Sequence, residues 1–363
     1  MTKEKKYPDI KGKVGTYPYN GFTEDVIKCR TTAIVGTTGS GKSFILNEIL
    51  TSCKDVFKCC SVLSGTADAD DYFPMDGYSS RCLIRDKLDI PWLNRVFNEV
   101  EKNWTIYKRA RSLPVLRDGL RLLNHIYVSR GDKKMLSRLK LYSHTLGLWE
   151  KKLKRMDKNE VAKHEYKGCE KTLINLYRYV MAEGNMYIEK NEVCLDEYKN
   201  EALLPIRMVR FNPYVLIVIN DLGDEIKNLT GKEKLVFEQI CNKGRHFGLT
   251  LIILLQNLIQ APKSIRGSFH NYIFTTNAAV EEYLEVDKSM RKPLRDALDC
   301  IVNPDQSVPE SKKKYYRILF SRLTGKIYYT HSDAHGKQYR VGNKKLLKVL
   351  DHISADPLDK FDL

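Results

Sequence analysis

Short unbroken apolar runs alternate along this chain with stretches in which apolar residues recur every three or four positions. Thr31-Thr-Ala-Ile-Val35 reads as a buried strand, and a glycine-rich turn follows it. Ile45, Leu46, Ile49 and Leu50 then repeat at helical spacing, and Cys59-Cys-Ser-Val-Leu63 reads as a second strand ending in the polar loop Ser64 to Asp71. Strand, helix and strand at this spacing begin a parallel α/β sheet. The sheet resumes at Tyr214-Val-Leu-Ile-Val-Ile219, a run suited to a strand buried on both faces. Leu249 to Leu255 and Tyr272 to Thr276 read as further strands. Between them, Thr230-Gly-Lys-Glu233 has the form of a capping box opening a helix, and Gly244 reads as its stop. Tyr315 to Leu323 and Ile327 to Thr330 flank Thr324-Gly325 as a hairpin. The fold class expected is α/β, with a mainly parallel central sheet and a C-terminal β-hairpin.

The same pattern divides the chain into five parts: a polar N-terminal arm (1–30), the first half of the core (31–90), a helical insertion (91–205), the second half of the core with its hairpin (206–332), and a basic tail (333–363). The insertion holds all three tryptophans, Trp92, Trp104 and Trp149. From Glu101 to Thr172 it carries 19 Lys and Arg against 8 Asp and Glu, so a fifth of the length supplies most of the chain's net +16. Such a surplus fits a polyanionic partner, nucleic acid first and anionic membrane second. A set of solvated helix faces is the other reading. The apolar runs fall far short of the ~20 residues of a membrane-spanning helix. No apolar segment follows the charged residues after Met1, as a signal peptide would require. The nine cysteines include no C-x-x-C pair, which fits reduced, mostly buried thiols rather than a zinc site or disulfide framework. A soluble intracellular protein without a membrane span is expected.

Candidate chemistry concentrates after the first strand. Gly36-Thr37-Thr38-Gly39-Ser40-Gly41-Lys42-Ser43 matches G-x-x-x-x-G-K-[ST] between a strand and a helix. The glycines let successive N–H groups face phosphate oxygens, and the helix N-terminus adds its dipole. Lys42 is placed to reach the β- and γ-phosphates of ATP, and Ser43 to offer its hydroxyl to Mg²⁺. Asp221 follows the third strand, where a carboxylate can meet the metal and orient water, but Asn220 precedes it. Where two consecutive acids are needed, Asn220 has replaced one. Asp224 and Glu225 can then supply the second carboxylate if the loop folds back, or they form an exposed acidic loop. Gln256 ends the fourth strand and can sense the γ-phosphate or hold the attacking water. Arg245, in Gly244-Arg-His-Phe-Gly248, reads either as a finger reaching a neighbouring subunit's nucleotide or as a helix-end cation. Arg266 is a second candidate. Guanine-reading, zinc-protease and serine-hydrolase motifs are missing, and the histidines show no metal spacing.

Taken together, the P-loop, the acid after Val-Leu-Ile-Val-Ile, and Gly244-Arg245-His-Phe-Gly-Leu-Thr-Leu-Ile-Ile-Leu-Leu-Gln256 resemble the FtsK/HerA superfamily of ring-forming DNA-pumping ATPases. Within it, the chain looks most like the genome-packaging ATPases of large double-stranded DNA viruses of the poxvirus type. Gln256 to Arg266 and the Ser64-Gly-Thr66 loop add to that likeness, which covers roughly residues 30–90 and 206–280. The resemblance implies a RecA-like P-loop fold and ATP hydrolysis with Mg²⁺. It also implies a homo-oligomeric ring, double-stranded DNA as partner, and packaging into a capsid through a capsid or portal protein, in the host cytoplasm or virion. By position it makes Lys42 and Ser43 the phosphate and metal ligands, Asp221 the acid of the catalytic strand, Gln256 the sensor and Arg245 the trans-acting finger. A helicase or translocase of cellular type, and a nucleotide-switched scaffold without catalysis, are the alternatives.

Overall fold

The structure is a computed structural model describing residues 15–16, 24–57, 59–66, 77–80, 83–110, 117, 120–121, 124, 128, 131–153, 214–302, 316–331, 338–342, 344 and 347. Most of the N-terminal arm, the loop from Ala67 to Asp71, the insertion beyond residue 153, Tyr315 and most of the basic tail lie outside the described residues. The chain forms two compact units, one of Met1–Glu101, Ala202–Val209 and Pro213–Leu363, the other of Lys102–Glu201 and Arg210–Asn212.

The first unit is built on one sheet. Its strands are β1 (Gly15–Thr16), β2 (Thr31–Val35), β3 (Cys59–Ser64), β4 (Ile84–Arg85), β5 (Val215–Asn220), β6 (Leu249–Leu255), β7 (Asn271–Phe274), β8 (Tyr316–Ser321) and β9 (Lys326–His331). They lie in the order β1-β9-β8-β7-β2-β6-β5-β3-β4. From β7 to β4 every pairing is parallel; β8 and β9 add antiparallel, and β1 pairs parallel to β9. The mainly parallel α/β sheet expected from the apolar runs is therefore present. One strand, β6, separates the P-loop strand β2 from the acid-bearing strand β5, and the expected hairpin extends this same sheet beyond β7.

Strand periodicity explains why the runs are apolar throughout. Ala33, Val35, Ile217, Ile219, Ile253 and Leu255 bury in one core, while Ile34, Leu216, Val218, Ile252 and Leu254 bury in another. Alternate side chains thus face opposite layers, so both parities must be apolar. The second layer receives α2 (Lys42–Ser52) through Ile45, Leu46, Ile49 and Leu50. The first receives the start of α3 (Ile90–Ala110), α6 (Gly231–Lys243), α8 (Asn277–Val286) and α9 (Arg291–Val302), all contributing buried residues. The remaining helices of this unit are α1 (Glu24–Ile27), α5 (Gly223–Lys227) and α7 (Lys263–Arg266).

Local expectations were corrected at three places. The arm, for which no element was expected, contains β1 and α1. Thr230 is the extended N-cap of α6, but its side chain makes no capping hydrogen bond. The α-helix does end at Lys243 with Gly244 as its C-cap, but Gly244 stays right-handed at φ −52° and leads into a 3₁₀ turn, Gly244–Phe247. The left-handed stop is Gly248, at φ 86°. A side chain at position 244 would instead meet Leu249, with Cβ 2.7 Å from Cδ2.

In the second unit, α4 (Lys133–Leu153) buries Leu139 and Leu146 and exposes Lys133, Lys134, Arg138, Lys140 and Lys151. Among the described residues, no helix is long and apolar enough to cross a membrane. The described cysteines, 29, 53, 59, 60 and 241, are in no disulfide, and all but Cys29 are buried.

Candidate nucleotide site

Parallel strands bring their C-terminal ends to one sheet edge, and backbone groups not used in the ladder collect there. In this chain the register aligns Val35 with Leu255, and Ser64 with Asn220. The next residues, Gly36, Gln256, Gly65 and Asp221, therefore emerge side by side. The Gly36 N–H donates to the Leu255 carbonyl at 3.1 Å, and the Gly65 N–H to that of Asn220 at 3.3 Å.

The turn from Gly36 to Lys42 is fastened by residues the sequence did not single out. Thr275, following β7, shares a 2.6 Å hydrogen bond with the Ser40 hydroxyl and donates to the Val35 carbonyl at 3.2 Å. A Cβ at position 36 would stand 1.9 Å from Thr275 Oγ1, so that position accepts only glycine. From β8, the buried Arg317 donates from Nη2 to the Ser40 carbonyl at 2.8 Å. Gly41, at φ 88°, has the left-handed backbone that lets α2 start directly under the turn. A charged side chain inside a largely apolar hairpin strand is the sequence signal that could have pointed to Arg317.

Lys42 is buried, and its ammonium donates to the carbonyls of Gly36 at 2.8 Å and Thr37 at 3.0 Å. Burial holds its pKa below the ordinary lysine value, and the charge of Asp221 counters part of that shift. Asp221 is exposed and sits at φ 53°. That left-handed conformation costs energy in a non-glycine residue and is tolerated best by Asp and Asn. Its Oδ2 accepts from the Thr66 hydroxyl at 3.1 Å and from the Asn220 amide at 3.3 Å. The Asn220 amide also donates to Ser64 Oγ at 3.1 Å. Asn220 thus ties β3 to the acid, a role a carboxylate at that position cannot fill because it has no donor.

Gln256 is exposed at the tip of β6, and its backbone N–H donates to Gln260 Oε1 at 2.8 Å. The buried Gln260 donates in turn to Asp224 at 3.3 Å. Asp224 is thereby engaged in joining the turn after β6 to α5. Glu225 accepts from the Leu88 N–H at 2.8 Å. Neither acid is brought to Lys42 by these bonds.

Arg245 stands elsewhere. Its Nη1 lies 2.8 Å from His270 Nε2, and His270 Nδ1 accepts from the N–H of Thr31, the first residue of β2. Five strand residues at ~3.3 Å each put this edge roughly 16 Å from Gly36. The sheet thus places Arg245 at the edge opposite the P-loop of its own chain, beyond reach of it. Arg266, in α7, gives its carbonyl to Tyr272 at 2.7 Å and to Arg322 at 3.3 Å, on that same side of the sheet.

The oxygen donors at the P-loop edge fit the metal expected with ATP. Ser43 Oγ and the Asp221 carboxylate are hard ligands of the sort Mg²⁺ selects, and the charge of Asp221 is felt at Lys42. Among the described residues, no cluster of three or more His, Cys, Asp or Glu forms a metal site of protein ligands alone.

No protein-family profile matches the chain, and no curated protein matches it. Solved structures similar to it include the conjugation coupling protein TcpA of pCW3 in its monomer form with ATPγS (12% identity, 94% of this chain and 74% of that one, TM-score 0.40). Another is the genome-packaging NTPase B204 of Sulfolobus turreted icosahedral virus 2 with AMPPCP (8% identity, 84% and 98%, TM-score 0.38). A third is the bacterial conjugative coupling protein TrwB (14% identity, 92% and 90%, TM-score 0.36).

Proposed function

We propose that this chain is an ATPase that moves double-stranded DNA, and that its setting is packaging of a viral genome through a capsid or portal partner. The observation carrying the ATPase reading is the convergence of the P-loop, Asp221 and Gln256 on one sheet edge, with Lys42 held in the turn by two carbonyls. Incoming phosphate displaces those carbonyls, and the Lys42 ammonium turns its hydrogen bonds to the β- and γ-oxygens. Ser43 and Asp221 would hold Mg²⁺, which when bound would neutralise phosphate charge. Asp221, steadied by Thr66 and Asn220, orients the attacking water together with Gln256.

Arg245 serves a neighbouring copy, since its own phosphates lie across the sheet. Head-to-tail contacts between like subunits close into a ring when the rotation between them closes, and a homo-oligomeric ring is the closed assembly this assignment supports. The DNA reading rests on net charge and on the exposed lysines and arginines of α4 within the basic insertion, 91–205. Such residues bind phosphates without reading bases, which suits a pump that must accept any sequence. Asn220 favours a second reading, a nucleotide-switched scaffold that binds ATP without turnover.

Asp221→Asn decides between them. A turnover loss of roughly a hundred-fold or more with ATP binding retained is expected for the ATPase. Wild-type protein that binds ATP without hydrolysing it supports the scaffold, and unchanged turnover in the variant removes Asp221 from the site.

A further inference from the structure

We propose that a cleft at the N-terminal edge of the sheet, lined by Asn242, Arg245, His270 and Arg322, is a phosphate-binding subsite that receives the terminal phosphate of a nucleotide held by a second copy of this chain, with His270 as a hydrogen-bond donor beside Arg245. The proposal deepens the trans reading of Arg245 and rests on it for the source of the phosphate. The existence of an anion site rests on the cleft alone.

The cleft encloses about 270 Å³, and no acid is among the residues lining it. Arg322 is fixed at its rim, donating from Nη1 to the carbonyls of Gly267 at 2.9 Å, Arg266 at 3.3 Å and Phe269 at 3.4 Å. The nearby Asp287 feels the charge of Arg322, but its carboxylate is occupied by Ser289 and Tyr283.

The deciding feature is the proton on His270, a residue only 6% exposed. A neutral imidazole carries one N–H and one acceptor nitrogen. The Thr31 amide can only donate, and it lies 3.0 Å from Nδ1, so Nδ1 is the acceptor and Nε2 carries the proton. Arg245 can also only donate, yet its Nη1 is 2.8 Å from Nε2. Two donors therefore face one another at the wall of a positively charged cleft. Protonating the ring does not relieve them, because it adds a third donor opposite Thr31. Burial and the charges of Arg245, Arg30 and Arg322 moreover hold the His270 pKa down to about 4. An oxyanion that parts Arg245 from His270, which stand 2.8 Å apart, accepts from both, and the charge-assisted bonds that form are the strong class. The volume suits a single phosphoryl group rather than a run of DNA backbone. The chain's own P-loop, at the far edge of β2, cannot deliver one.

The test separates site from source. The site is read by titrating inorganic phosphate against the thermal midpoint of Lys42→Ala, in which the P-loop lysine is gone, and of Lys42→Ala/His270→Asn. The Asn carbonyl keeps the acceptor for Thr31 N–H while deleting the Nε2 donor. Phosphate should raise the midpoint of the first protein, and the second should need about ten-fold or more phosphate for the same rise, as expected for one lost charge-assisted hydrogen bond. Lys42→Ala/Asn242→Asp, which puts negative charge into the cleft at an exposed position, should show the same loss. Identical phosphate responses in all three proteins overturn the site.

The source is read from turnover. His270→Asn should lose about ten-fold or more in kcat while its affinity for a fluorescent ATP analogue is unchanged, and mixing it with inactive Lys42→Ala should give more activity than the two separately. A His270→Asn protein with wild-type basal turnover but weakened duplex binding overturns the nucleotide source in favour of DNA phosphate. Absence of rescue at every mixing ratio overturns the trans geometry. Wild-type protein without turnover ends the ATPase reading instead, and leaves the phosphate titration to decide the subsite.

Discussion

Asn220 occupies the position where a second acid is expected, and Asn220→Asp tests what its amide does. The side chain is 3% exposed and donates to Ser64 Oγ and to Asp221 Oδ2 at 3.3 Å. Aspartate removes both donations, at about 1 kcal/mol each. It also sets two carboxylates ~3.3 Å apart, a repulsion of about 5 kcal/mol at an effective dielectric of 20 and about 1 kcal/mol at that of water. Asp221 is exposed, so solvent screening moves the value toward the lower figure. A net loss of roughly 3–4 kcal/mol at pH 8 follows.

The loss should depend on pH in a defined direction. Two close carboxylates share a proton, which raises the folded pKa of the pair above the unfolded value near 4. The folded state then binds more protons than the unfolded one, and the variant's stability relative to wild type falls as pH rises through the raised value. Below it, the protonated Asp donates to Asp221 as the amide did. Urea unfolding of both proteins at pH 4.5, 6 and 8 reads the difference. A deficit that is the same at all three pH values, or none at pH 8, refutes the hydrogen-bonded geometry assigned to Asn220.

Other positions give shorter tests. Gly36→Ala drives Cβ into Thr275 Oγ1 and should cost at least about ten-fold in ATP affinity, read by fluorescent-nucleotide titration, because the turn must open. Arg317→Gln releases the Ser40 carbonyl and should weaken ATP binding in the same assay more than it weakens the fold. His270, with its pKa lowered to about 4, stays neutral when folded but protonates near pH 6.5 when unfolded. It therefore contributes stability that is lost as pH falls from about 6.5 to 4, on the order of 3 kcal/mol. Acid titration of stability should be shallower in His270→Asn over that window. Duplex affinity should fall log-linearly with salt as counterions are released, and reversing charge at Lys133, Lys134 and Lys140 should flatten the slope.

The periodicity of the chain made most of the sheet legible. Runs such as Leu249–Leu255 are buried at every position, and apolar at all but Thr250, because both faces are covered. The bounds of this run were read as observed, while the strands read at Tyr272–Thr276 and Tyr315–Leu323 end two residues earlier. The P-loop was legible because its chemistry is local, with glycines, lysine and serine all inside eight residues. The fasteners of the site were not, because they come from distant segments. Thr275 and Arg317 reach Ser40 across 235 and 277 residues of sequence, and spacing cannot report such contacts. Gly244 marks the helix end as read, but its lack of a side chain serves packing against Leu249 rather than a left-handed cap. The position of Arg245 needed the sheet itself. Only the parallel arrangement shows that a residue preceding one strand lies at the edge opposite a loop following its neighbour.

The central claim is an ATP-driven motor coupled to duplex DNA. Its most direct measurement is ATP hydrolysis by the purified protein with and without long duplex DNA, beside Lys42→Ala. The account predicts turnover that duplex stimulates and that the variant lacks. Turnover indifferent to both DNA and the loss of Lys42 would contradict it.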